Sequence, residues 1–213
     1  MVLLLAMVSG LAWTVVYVEC IRVGLRERTY AMPLAALALN FAWESTYAAQ
    51  GLAESPDPQT VINIVWAVLD VGIIVTFCRF GRAEFPGLGR GTFAGLAVLT
   101  FAASYVVQWL FIAQFGRHDA AQYSAFLQNL LMSALFLAMF AARRGARGQS
   151  LLIAVAKWIG TLAPTILFGV VFGSPFVLGL GILCSVLDLV YAGVLWHARS
   201  ASRRPGAVRS GTP

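Results

Sequence analysis

A chain of 213 residues that is 60% apolar and only 11% charged has too little polar surface to clothe a water-soluble globule, and its mean hydropathy of +0.80 makes a bilayer its solvent. The net charge of +6 would raise nucleic acid as a partner in a soluble protein. Here nearly all basic residues fall in short loops, where they orient helices in a membrane, so lipid is the expected surroundings and no nucleic-acid partner is expected.

The first apolar run, 2–20, has no basic segment ahead of it and is longer than the core of a cleavable signal, which predicts a retained helix. Runs at 31–50, 59–78, 91–115, 121–141, 150–172 and 176–197 follow, each near the ~20 residues that cross a hydrocarbon core. They predict an all-α polytopic domain over 1–198, a bundle of seven transmembrane helices, followed by a basic, disordered tail over 199–213 that touches lipid headgroups. Loops after the first, third and fifth runs, with the tail, hold thirteen basic residues, and the opposite side holds one, Arg117. That asymmetry predicts an outside N terminus and a cytoplasmic C terminus. Cys20, Cys78 and Cys184 are an odd set on helices, not a disulfide framework.

An ionisable side chain at mid-membrane costs ~2.5–3.5 kcal/mol on the most lenient scales, so each needs a partner or a task. Four stand out: Glu44 in the second run, Asp70 in the third, Lys157 in the sixth and Asp188 in the seventh. Lys157 could pair with one of the acids. Around the acids, Asn40, Trp43, Glu44 and Tyr47 share one helix face, as do Asn63, Trp66 and Asp70. Tyr105, Gln108 and Trp109 share a third face, and Cys184, Asp188 and Tyr191 a fourth. Any one aromatic at such spacing is more often packing than part of a site. Gln128 and Asn129 read most simply as interhelical hydrogen-bonding groups, with Asn129 also a candidate contact to a ligand. Together the faces predict an aromatic-walled pocket with few polar groups, suited to a largely apolar small molecule.

Burial disfavours an ionised carboxyl, so an acid in an apolar pocket keeps its proton and can donate it. Aromatic faces stabilise a positive centre by cation–π attraction without supplying a lone pair that would quench it. An acid, aromatic walls and a second carboxylate are equipment for protonating an alkene or epoxide, steering a carbocation through ring closure and removing the final proton. The chain has no Asp-rich segment to hold magnesium and a diphosphate, no Gly-rich nucleotide loop and no metal-binding His run, so no cofactor or metal is expected. The substrate is expected to be prenylated already.

The segments Asn40-Phe-Ala-Trp43-Glu44, Trp66 with Asp70, Gln128-Asn129-Leu-Leu-Met-Ser133 with Arg143, Gly148-Gln149-Ser150, Lys157 with Gly160-Thr161, and Asp188-Leu-Val-Tyr191 resemble the small membrane-bound terpene cyclases of meroterpenoid and indole-terpenoid pathways. The resemblance covers nearly the whole chain. It implies a bundle of seven membrane helices and an isomerase-type cyclisation of a prenyl chain, farnesyl by expectation, already placed on an indole or other aromatic by an upstream prenyltransferase. It also implies two catalytic acids, matched by Glu44 and Asp188; Asp70 is a third candidate from its own mid-membrane position. The Ala-, Arg- and Gly-rich usage fits the bacterial branch, hence a bacterial plasma membrane. The rival expectations are a small proton-coupled transporter using the same carboxylates and a membrane scaffold without chemistry.

Overall fold

A computed structural model describes residues 1–202. Helix α1 spans Val2–Glu27, α2 Leu34–Glu54, α3 Pro58–Phe80, α4 Arg90–Ala142, α5 Leu151–Pro164 and α6 Pro175–Ser202; a 3₁₀ turn, Gly81–Glu84, follows α3, and a π-helical stretch, Thr165–Val171, extends α5. Local chemistry sets the boundaries. Arg28 ends α1 in the left-handed conformation, with φ 52°. At the start of α3, Asp57 accepts from the backbone N–H and the hydroxyl of Thr60, and Pro58 occupies the first turn, where a missing N–H costs nothing. Ser150 caps α5 by accepting from the N–H of Leu152, and the rings of Pro164 and Pro175 flank the widened turns between α5 and α6.

Seven separate helices were expected, and six α-helices are observed among the described residues, because the runs 91–115 and 121–141 join in the 53-residue α4. The junction is Gly116, at φ 72° and ψ 165°, a conformation that is essentially confined to glycine. The two limbs fold back on each other there. Gln108 Nε2 donates to Gln128 Oε1 at 3.1 Å, although twenty residues of straight helix would separate the two by ~30 Å.

Among the described residues, five helical segments are long and apolar enough to cross a membrane: Val2–Glu27, Pro58–Glu84, Arg90–Ala142, Leu151–Val171 and Pro175–Ser200. Helix α2 falls short of that composition because it carries Asn40, Glu44, Thr46 and Gln50. The last helix runs past its expected end at residue 197 to Ser202, and the rest of the expected tail lies outside the described residues.

Polarity is partitioned as a bilayer requires. Leu3, Leu4, Leu11, Leu183, Val186 and Leu189 are exposed, whereas Asn40, Glu44, Asp70, Gln108, Lys157 and Asp188 are buried. Close helix contacts bring the polar interior together. Gly160 of α5 lets the Trp13 ring of α1 lie against its backbone, where a Cβ would sit 2.9 Å from Trp13 Cδ1. A larger residue at position 160 would push that ring out of the interior.

Candidate active site

Helices α1, α2 and α3, the second limb of α4, and the α5 extension enclose a cavity of about 780 Å³, within the ~300–1,000 Å³ of small-molecule sites. Its walls are mainly aromatic and apolar: Trp13, Trp43, Tyr47, Trp66, Phe126, Met132 and Phe168. The exposed residues Glu54, Ser55, Asp57 and His118 line one part, and the buried Tyr17, Asn40 and Glu44 line another. Arg117, directly after the Gly116 bend, pairs with Glu54 across the rim.

Glu44 lies on the wall of this cavity. It is 1% exposed, and its Oε1 accepts from the Tyr17 hydroxyl at 2.5 Å and from Asn40 Nδ2 at 2.9 Å. The two protons of the same Asn40 amide also face Tyr17 Oη at 2.6 Å and Asp70 Oδ2 at 3.1 Å, so one N–H is shared between two acceptors. One neutral amide thus bridges two carboxyl groups on neighbouring helices. Glu44 Oε2 and Asp70 Oδ1 accept from no N–H or hydroxyl, the two carboxyl groups interact directly with each other, and among the described residues no cation pairs with either acid. Glu44 lines the cavity; Asp70, fully buried, lies behind Asn40 and off the wall.

The expectation that Glu44 and Asp188 face one chamber is not met. Both Asp188 oxygens accept from Lys157 Nζ, at 2.8 and 2.9 Å, and the third ammonium proton goes to Ser133 Oγ at 2.6 Å. Lysine and aspartate are 0% and 1% exposed, and neither lines the cavity. The cause is electrostatic: a fully buried ammonium needs a counter-ion, and the turn of α6 packed on α5 supplies it.

Of the other expected contacts, Asn40, Trp43, Tyr47, Asn63, Trp66 and Asn129 line the cavity. Trp43 Nε1 donates to the Ala121 carbonyl at 2.9 Å, which fixes its ring, and Trp66 Nε1 donates to Thr14 at 3.2 Å. Four lie elsewhere. Tyr105 meets Ser45 at 2.7 Å, Gln108 bonds Gln128, Trp109 is 60% exposed towards lipid, and Tyr191 packs in the core against Phe136. Helical spacing gives a face, not the neighbour it meets, so the exposed side of α4 was indistinguishable from the buried one. Tyr17 and Trp13 were missed. Their i, i+4 spacing on α1 was the available signal, and it was hidden in a uniformly apolar run.

Outside the membrane segments, the Thr60 side chain and then its backbone N–H hold the Asp57 carboxyl below the usual aspartate range. Tyr30, between α1 and α2, has its phenol pushed up by burial, and the Arg143 guanidinium lies 4.3 Å over its ring.

Residues 1–201 match the model of the Pyr4-like transmembrane terpene cyclases. The Pyr4-family terpene cyclase mfmH of Annulohypoxylon moriforme is 31% identical over 163 residues, 75% of this chain and 66% of that protein. Terpene cyclase pyr4 of Aspergillus fumigatus is 27% identical over 208 residues, covering 92% and 86% of the two chains, and terpene cyclase ascF of Acremonium egyptiacum is 29% identical over 225 residues, covering 92% and 81%. These relatives are fungal and give no support to a bacterial membrane. No solved structure matches the chain. An apolar helical bundle, a buried carboxyl at an aromatic-walled cavity and a family match over residues 1–201 agree: the chain is an integral membrane protein of the Pyr4-like transmembrane terpene cyclase family.

Proposed function

We propose that this cyclase closes rings on the prenyl chain of a prenylated aromatic, with Glu44 as the acid that starts the reaction. The observation that carries the reading is Glu44 itself: a buried, cation-free carboxyl on the wall of an aromatic cavity, with one oxygen accepting from no N–H or hydroxyl. A carboxyl in such surroundings is favoured as the neutral acid. Its proton passes to the CH carbon of the terminal prenyl alkene, which leaves the positive charge on the tertiary dimethyl carbon, or to the oxygen of its epoxide. With the alkene, the π pair becomes the new C–H bond and the neighbouring carbon becomes positive. Internal alkenes then supply electron pairs for C–C bonds, and the last cation loses a proton to a carboxylate, so product and substrate are isomers.

Tyr17 and Asn40 donate to the oxygen that becomes negative when Glu44 gives up its proton, which lowers the cost of that step. Asp70 receives from the same amide and is the natural store for a second proton. Trp13, Trp43 and Trp66 fold the chain and face the cation. The prenyl group is attached beforehand by a prenyltransferase; a farnesyl chain on an indole is the substrate we would test first.

Seven crossings, with the N terminus outside, follow in this reading from α2 and the two antiparallel limbs of α4. At ~1.5 Å per residue, 53 residues far exceed a ~30 Å hydrocarbon core. The basic residues after α1, α3 and α4 favour that orientation.

The test is Glu44→Gln, which keeps shape and removes the acid. Membranes holding the natural chain should convert farnesylindole to an isomer with fewer double bonds, and the variant should lose on the order of 10²–10⁴-fold in rate. Full turnover by the variant removes Glu44 from the role. Flux of unchanged substrate across proteoliposomes, with no isomer formed, would favour a transporter instead.

A further inference from the structure

Asn129 is 8% exposed, lies on the second limb of α4 and lines the cavity on a different wall from Glu44. Its hydrogen bonds fix which end of its amide is free. The Thr161 hydroxyl donates its only proton to the Lys157 carbonyl at 2.9 Å, so towards Asn129 it can only accept. The group at 2.6 Å from Thr161 Oγ1 is therefore the Asn129 NH₂, and the amide oxygen is left without a donor. A buried acceptor with no donor is unfavourable in the empty protein, and a fold that keeps one at a cavity wall holds it ready for what fills the cavity.

Its surroundings indicate what that is. Phe126, Met132, Pro164 and Phe168 line the same cavity and offer no N–H or O–H. The nearby ammonium of Lys157 is neutralised by Asp188, so it does not oppose a positive charge. We propose that Asn129 is a catalytic residue whose side-chain oxygen stabilises the carbocation that travels through the cyclising chain; the claim rests on the cyclase reading above. A fixed amide dipole does this without reorganising at the moment of reaction. No bond forms to the oxygen. Each ring closure uses the π pair of the next alkene, the positive carbon moves on, and the charge leaves as the final proton.

The test compares Asn129→Leu, similar in size but without the dipole, and Thr161→Val, which keeps Asn129 but removes its anchor. Each is assayed in membranes with farnesylindole beside the natural chain and Glu44→Gln, and its melting temperature is read in detergent. Asn129→Leu should lower kcat on the order of 10–100-fold, leave KM within about twofold, and shift products towards chains released after one ring. Thr161→Val should shift products the same way by less, and it decides the matter if Asn129→Leu does not fold. A raised KM with unchanged kcat would mean that the oxygen accepts from the head group, and overturns the proposal. Unchanged products and rates from a folded Asn129→Leu also overturn it, leaving the cyclase reading standing if Glu44→Gln is inactive. If the natural chain forms no isomer, the cyclase reading itself falls.

Discussion

Two of the buried pairs of ionisable residues in this bundle, Lys157 with Asp188 and Glu44 with Asp70, solve the same problem in opposite ways. Lys157 and Asp188 cancel each other: every ammonium proton and both carboxylate oxygens are engaged, and no part of the pair meets the cavity. Glu44 and Asp70 meet each other and only neutral donors, Tyr17 and Asn40, and each keeps an oxygen that accepts from no N–H or hydroxyl. The first pair is neutralised within itself, and the second has no cation to neutralise it. Sequence position does not separate the two kinds; the neighbours do.

The comparison is broken most easily at the ion pair. Asp188→Leu strands a buried ammonium and should destabilise the protein by ~3–5 kcal/mol, read as a lower melting temperature in detergent with loss of activity. Adding Lys157→Met removes the stranded charge and should restore most of both. A well-folded double variant that binds substrate but cannot cyclise it would show that Asp188 takes part in the chemistry.

A smaller effect is expected at Tyr17. Tyr17→Phe keeps the ring between Trp13 and Trp66 but removes the 2.5 Å bond to Glu44. Loss of a bond to a developing charge of ~1.5 kcal/mol slows turnover about tenfold. KM and melting temperature should barely move, since the packing remains. A variant with natural kcat would leave Glu44 unsupported by Tyr17.

The smallest effect belongs to a carboxyl outside the membrane. Asp57 is held below its ordinary range in the folded state, so its cap adds stability above the unfolded aspartate value and loses it as pH falls through the folded one. The melting temperature should therefore decline below about pH 4, and Asp57→Ala should flatten the part of that decline due to the cap. An identical acid profile in the variant would mean that the cap contributes nothing there.

Much of the fold was legible because a bilayer imposes simple demands. Apolar stretches had to be helices, and arginines had to mark their ends. The faces around Asn40 and Asn63 were legible because their residues recur at helical spacing, and both line the cavity. What spacing cannot carry is which helix meets which. Pairing with Lys157 gave Asp70 a structural alternative along the chain, whereas the packing of α6 on α5 gives that partner to Asp188. Trp109 reads like Trp66 along the chain, yet one faces lipid and the other the cavity, because lipid and core are equally apolar. Tyr17 was obscured because a lone phenol in a greasy run shows its importance only once an acid from another helix reaches it.

Gly116 has a consequence for the width of the chamber. No atom lies within 4 Å of where a Cβ would be, so space would admit a larger residue, but the backbone angles would not. The wall bearing Gln128, Asn129 and Met132 is tethered through that one hinge to the limb bearing Gln108. An alanine there would tend to straighten the hairpin, drawing Arg117 away from Glu54 and widening the cavity between the limbs. The missing methyl group at residue 116 allows the bend on which the spacing of the two limbs depends.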